Sequence, residues 1–287
     1  MGDFIGSGAS GSVHLAKYKP TGDIFAIKSI KIYDKNTRNQ FKNDLKVLCE
    51  NKCKNIISFY GAFFTEGNVK IVLEYMNLGS LDKILKQIKI KKFPPPCIPE
   101  SILSKITKQI LLGLNYLHNE KHQIHRDIKP ANILINSDGI VKLTDFGIAR
   151  TLENTQKSKT FVGSRSYMSP ERITGKIYGY PSDIWSVGLV IYELATGVEP
   201  YGGGDDFLAQ ITRMVEYDEP RLDDKIFSKE LCDFIDKTVK KEPEKRSDVI
   251  ALLNHPWILG HENDNDSVPE WLGFLFDYTY KNLNNYS

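Results

Sequence analysis

The apolar residues of this chain pass from a mainly strand-like to a mainly helical period close to residue 76, which excludes both a wholly β and a wholly helical fold. From Phe4 to about Ile32, short β-type runs ("SVHLAKY", "DIFAIKSIKI") flank the turn "KPTGD" and predict an antiparallel meander. The segment "TRNQFKNDLKVLCE" then sets Phe41, Leu45 and Leu48 at helical spacing, ahead of two more strand-like runs, "ISFYGAFF" and "VKIVLEYM". Residues 1–76 are therefore expected to form a small β-rich lobe with one main helix.

After "NLGS" the period becomes helical. Ile102, Ile106, Ile110, Leu114 and Leu117 recur at intervals of three and four, with Pro99 at the start. "SDIWSVGLVIYELATG" is apolar nearly all round, as expected of a helix buried at a lobe's centre, and Gly197 is placed to end it. These patterns predict a larger, mainly helical lobe over 77–260. Within it, "KQIKIKKFPPPCIP" joins four lysines to three consecutive prolines and reads as a solvated surface loop, with a docking element as the alternative. The closing 261–287 is a polar linker followed by an aromatic-rich stretch, read as a helix packed on the large lobe or as a docking segment.

A length of 287 residues with 41% hydrophobic content supports two lobes of one domain over 1–287. The 38 basic and 36 acidic residues leave a formal net charge of +2, which argues against nucleic-acid binding or a polybasic membrane anchor. Four cysteines without paired C-x-x-C spacing predict neither a disulfide framework nor a zinc knuckle, and fit a reducing, cytoplasmic setting. No apolar run approaches the length of a membrane helix, and Gly6 stands where an acylation signal needs Ser or Thr.

Several short stretches carry chemistry. "GSGASG" puts Gly6, Gly8 and Gly11 around Ser7, followed by Val13. β-Type sequence continues on both sides, which favours a loop folded over nucleotide phosphates rather than a dinucleotide-binding turn into a helix. "FAIK" places Ala26 and Lys28 at the end of an apolar strand, where the ammonium either reaches phosphate oxygens or simply faces solvent. "HRDIKPAN" sets Asp127, Lys129 and Asn132 close together across a proline. A reaction that accepts a proton, neutralises a moving negative charge and holds a metal ion needs a carboxylate, an ammonium and an amide oxygen.

With "DFG" at Asp145 to Gly147 and "SPE" at Ser169 to Glu171 in the same order, the chain resembles a eukaryotic protein kinase over nearly its full length. The resemblance implies the α+β bilobal kinase fold and ATP with Mg²⁺. Asp127 would be the catalytic base, Lys129 would steady the transferring phosphoryl, and Asn132 and Asp145 would hold Mg²⁺. A cap or turn role is the alternative for either aspartate. Leu73 would be the gatekeeper, with Glu74 to Met76 as the hinge whose backbone meets adenine. Glu171 and Arg246 would pair, Ser164 would bond near Asp127, and Thr144 leaves no thiol ahead of "DFG". "KHQIHRD" is one residue short of the usual pattern, so a distorted strand is expected there.

One position departs from the family. Where the small-lobe helix usually offers a glutamate to the β3 lysine, this chain aligns Asp44. Aspartate is shorter by about 1.5 Å. Stretching a pair from about 4 to 5.5 Å at an effective dielectric near 20 changes the Coulomb energy by only about 1 kcal/mol. Losing the charge-assisted hydrogen bond costs about 1.5 to 3 kcal/mol, so contact is the issue rather than field. A helix that moves closer to Lys28 in the active state would restore the pair.

"FVGSRSYMSPER", "GSLDKIL" and "RNQ…LKVL" resemble the MAP kinase kinases in particular. That resemblance implies a MAP kinase substrate phosphorylated on Thr and Tyr, an upstream MAP kinase kinase kinase and a monomeric enzyme. It also implies activating phosphates on Thr160 and on Thr155 or Ser158, with Arg126 as a cationic partner. Because the glycine loop begins at Gly6, the docking peptide that precedes it in the family is expected to be trimmed or replaced by docking elsewhere. An ATP-binding scaffold without turnover and an upstream Ser/Thr kinase of a neighbouring branch are the competing readings.

Overall fold

The computed structural model describes residues 2–8, 11–31, 49, 51–65, 67–145, 166–202 and 207–277. The first five strands form one antiparallel sheet: β1 (Phe4–Gly8), β2 (Gly11–Lys17), β3 (Ile24–Lys31), β4 (Phe59–Thr65) and β5 (Asn68–Glu74), in the order β1-β2-β3-β5-β4. Gly11 opens β2 at φ +143°, and a Cβ there would lie 1.9 Å from the carbonyl oxygen of Ser29. Only glycine lets the two strands approach this closely.

Register decides what the sheet presents. Val13 faces Lys28, Leu15 faces Ala26, Ala26 faces Leu73 and Lys28 faces Ile71. Directly opposed residues share a face, and the period is two, so Val13, Ala26, Lys28, Ile71 and Leu73 all point to one side. The buried Ala26, Lys28, Ile71 and Leu73 identify that side as the covered one. The predicted small-lobe helix falls within residues outside those described, apart from Cys49.

The larger lobe is helical. Helix α1 (Leu81–Lys91) is followed by α2 (Glu100–Asn115), which continues into a π-turn over Tyr116–Glu120. Short α3 (Pro170–Ile173) leads to α4 (Pro181–Thr196), α5 (Phe207–Glu216) and α6 (Lys229–Thr238), and then to α7 (Val249–Leu253), α8 (Pro256–Gly260) and α9 (Val268–Leu275). Helix α4 is buried almost throughout and ends at Gly197 with φ +72°, the left-handed cap its sequence predicts. A second small sheet, β6 (Gly79–Ser80), β7 (Ile133–Ile135) and β8 (Val141–Leu143), lies in this lobe.

The lysine-rich stretch is not the loop its sequence suggested. Leu81, Ile84, Leu85 and Ile88 are buried at helical spacing, so the chain stays helical as far as Lys91. The charged residues occupy the outer face, and the turn comes only at Lys92, which adopts φ +53°. The tail segment forms α9, with Val268, Leu272 and Leu275 buried. It meets α1 where Phe274 stacks on Phe93 and Lys91 bonds Asp277 at 2.9 Å. No helix among the described residues is long and apolar enough to cross a membrane.

Candidate active site

The β7–β8 hairpin turns on "NSDG": Asn136 accepts from the amides of Asp138 and Ile140, and Gly139 takes φ +73°. The Ile133–Leu143 pairing places the preceding Asn132 beside the following Thr144, whose amide donates to the Asn132 carbonyl at 3.0 Å. The hairpin's open end thus brings together Asn132 and Asp145, thirteen positions apart in sequence. Asp145 itself sits at φ +65°, a left-handed conformation that turns the chain sharply out of the strand.

Pro130 begins a 3₁₀ turn over Pro130–Asn132, for which its fixed φ is suited. That turn folds Lys129 and Asn132 back onto Asp127. Lys129 Nζ lies 2.8 Å and Asn132 Nδ2 2.7 Å from the same oxygen, Asp127 Oδ2. The Asn132 amide also donates to the Asp127 backbone carbonyl at 2.8 Å. With its two N–H groups directed at Asp127, the amide has its oxygen left to act as a ligand.

From the opposite lobe, Lys28 reaches both oxygens of Asp145 at 2.6 Å. Lys28 is only 4% exposed, so its ammonium needs this partner. Burial pushes the Asp145 carboxyl up, but Lys28, with help from Lys129, outweighs it and holds the group below its ordinary range. An ionised carboxylate beside an amide oxygen is a hard donor set of the kind Mg²⁺ takes, so these residues fit that ion.

The loop carrying Asp127 is fixed from below. His125 and Arg126 donate their backbone N–H groups to Asp183 of α4 at 2.8 and 2.9 Å, and His118 Nε2 lies 2.8 Å from the same carboxylate. Burial pushes the Asp183 carboxyl up, yet the His118 imidazole and the Arg126 amide outweigh it and hold the group below its ordinary range. Burial likewise lowers the pKa of His125, against the pull of Asp183, Asp127 and Asp145. Sequence reasoning read Asp183 only as part of an apolar helix; a carboxylate at the start of such a run was the available signal. Residues 121–129 form no regular strand, and His122 and Arg126 both take positive φ.

Ala26 and Leu73 lie side by side on the covered face of the sheet, and Met76 is buried at the end of the hinge. Gly6, Ser7 and Gly8 lie on β1 and pair with β2. Glu171 and Arg246 meet as a buried pair. Asp44, Thr155, Ser158, Thr160 and Ser164 lie outside the described residues, as do Phe146 and Gly147.

The family model for the protein kinase domain matches residues 1–258. Mitogen-activated protein kinase kinase 3 of Arabidopsis thaliana is 42% identical over 281 residues, covering 96% of this chain and 53% of the relative. The dual specificity mitogen-activated protein kinase kinase dSOR1 of Drosophila melanogaster is 39% identical, over 93% of this chain and 72% of the relative. Protein kinase wis1 of Schizosaccharomyces pombe is 38% identical, over 93% and 44%. The chain thus spans about half the length of some of its curated relatives. A sheet lobe and a helical lobe meeting at Lys28, Asp127 and Asp145, with these relatives, make the chain a protein kinase domain that belongs to the MAP kinase kinases.

Proposed function

We propose that the chain transfers the γ-phosphoryl group of ATP to the Ser/Thr and Tyr hydroxyls of a MAP kinase activation loop. The observation that carries this reading is the pair of donors on Asp127 Oδ2. They orient a carboxylate that accepts the substrate hydroxyl's proton as its oxygen attacks the γ-phosphorus and the bond to the β-phosphate oxygen breaks. ADP leaves with that oxygen. Lys129, 2.8 Å from Asp127, lies where it can offset charge on the transferring group, and Lys28 offers a buried ammonium to the phosphates. Mg²⁺ held by Asn132 and Asp145 would neutralise phosphate oxygens.

Ala26, Leu73 and Met76 would line the adenine, with Val13 and the loop of Gly6, Ser7, Gly8 and Gly11 over the phosphates. An upstream kinase would switch the enzyme on at Thr160, and at Thr155 or Ser158. Arg126 supports this: its Nε is buried with no partner among the described residues, so a phosphate on the loop would satisfy it. Asp44 would complete the Lys28 site in the active state; unchanged activity in Asp44→Glu, with and without loop phosphorylation, counts against that role.

The test is incubation with Mg-ATP and a catalytically dead MAP kinase, with and without acidic substitutions at Thr155 and Thr160, followed by mass spectrometry of the target. Phosphate on both Thr and Tyr, absent with Asp127→Asn, is the expected result. Nucleotide binding without transfer, even from the acidic form, would point to a scaffold.

A further inference from the structure

Behind the hinge, the side chain of Glu74 crosses from one lobe to the other. Its Oε2 accepts from Lys142 Nζ at 2.7 Å and from the Ser58 backbone amide at 3.2 Å. Glu74 ends β5, directly after Leu73, while Lys142 is the middle residue of β8, three positions before Asp145. The ammonium is nearly buried, with 11% of its side chain exposed, so this is not a solvent-screened surface pair. Burial pushes the Glu74 carboxyl up, but Lys142 and Ser58 outweigh it and hold it below its ordinary range.

The neighbouring backbone repeats the link. Ser58 accepts from the Glu74 amide at 2.9 Å, Ile57 donates to the Leu143 carbonyl at 3.0 Å, and Leu143 donates to the Asn55 carbonyl at 2.9 Å. Residues 55–58 therefore form a rung between β5 and β8, and the Glu74–Lys142 pair closes its side-chain face. At one end of that rung lies the hinge backbone; at the other, about 10 Å along the chain from Lys142, lies Asp145.

We propose that Glu74 and Lys142 are positioning residues, a clasp that sets the spacing between the adenine-facing hinge and the metal-facing carboxylate of Asp145. The proposal rests on the kinase reading of the site. It separates two ligands. Adenosine uses the hinge alone, whereas Mg-ADP must reach the hinge and Asp145 together, so only the second depends on the spacing.

The experiment is titration calorimetry of Mg-ADP and of adenosine against the whole chain and its variants. Lys142→Met is expected to weaken Mg-ADP at least fivefold and adenosine less than twofold, and Lys142→Arg to bind both like the parent. Glu74→Gln should weaken Mg-ADP in the same sense, and the double variant should lose no more than Lys142→Met, because the two residues form one device. Equal weakening of both ligands, or unchanged Mg-ADP affinity in Lys142→Met, overturns the clasp. A parent chain that binds adenosine but not Mg-ADP overturns the kinase reading itself, and the clasp with it. Urea midpoints of each variant separate a loosened fold from a loosened clasp.

Discussion

Arg246 grips Glu171 through two parallel bonds, Nη1 to Oε1 at 2.7 Å and Nη2 to Oε2 at 2.8 Å, with both side chains almost wholly out of solvent. The guanidinium also donates to the carbonyls of Lys240, Lys241 and Pro181 and lies 5.1 Å from the Trp185 ring centroid. One planar group thus holds three other parts of the chain at once. Lysine cannot reproduce that fork. Arg246→Lys is expected to lower stability by about 3 kcal/mol, the scale for breaking a buried ion pair. For a chain of this size the melting temperature should fall by roughly 6 to 12 °C in differential scanning fluorimetry.

Asn132 serves Asp127 and the proposed metal together. Asn132→Ala removes the amide's two bonds to Asp127, leaving the Lys129 donor, and takes away the amide oxygen offered to the metal. Phosphoryl transfer should fall about 100-fold or more, and the Mg²⁺ concentration giving half-maximal rate should rise. Initial rates across a magnesium series test both parts.

Acid should weaken the fold through His125. Its imidazole is fully buried and its pKa is lowered on folding, so below about pH 6.5 the unfolded chain binds a proton that the folded chain refuses. Stability therefore rises with pH through that window and is lost as pH falls. Urea midpoints at pH 7.5 and 5.5 should differ less in His125→Asn than in the parent.

Gly188 allows α4 and α6 to touch. A Cβ at this position would lie 2.3 Å from Thr238 Oγ1 and 2.5 Å from Val239 Cγ2, in the most deeply buried part of the large lobe. Gly188→Ala should cost about 1 to 3 kcal/mol despite the better helix propensity of alanine. Denaturant unfolding reads the loss directly, while Gly260→Ala, which meets nothing within 4 Å, is the control.

Much of the site was legible because its groups are crowded into short sequence. Asp127, Lys129 and Asn132 fall within one turn, so their convergence follows from local geometry. The buried helix α4 and its cap at Gly197 were legible from composition alone. The lysine-rich stretch was misread because charge and proline dominate it by eye, although Ile84, Leu85 and Ile88 carry the helical period beneath. Glu74 with Lys142, and Asp183 with the His125 loop, could not be read. Each pair joins residues more than fifty positions apart, and nothing local in either segment specifies its partner.

The rung at residues 55–58 also bears on how the molecule comes apart. Its bonds to Leu143 belong to neither lobe alone, so separating the lobes would strip backbone partners from a nearly solvent-free segment. Chain segments cut at the hinge and produced separately would each inherit half of that ladder. Amide protons of Ile57 and Leu143 should accordingly exchange only when the whole molecule opens, marking the two lobes as one cooperative unit rather than two that dock.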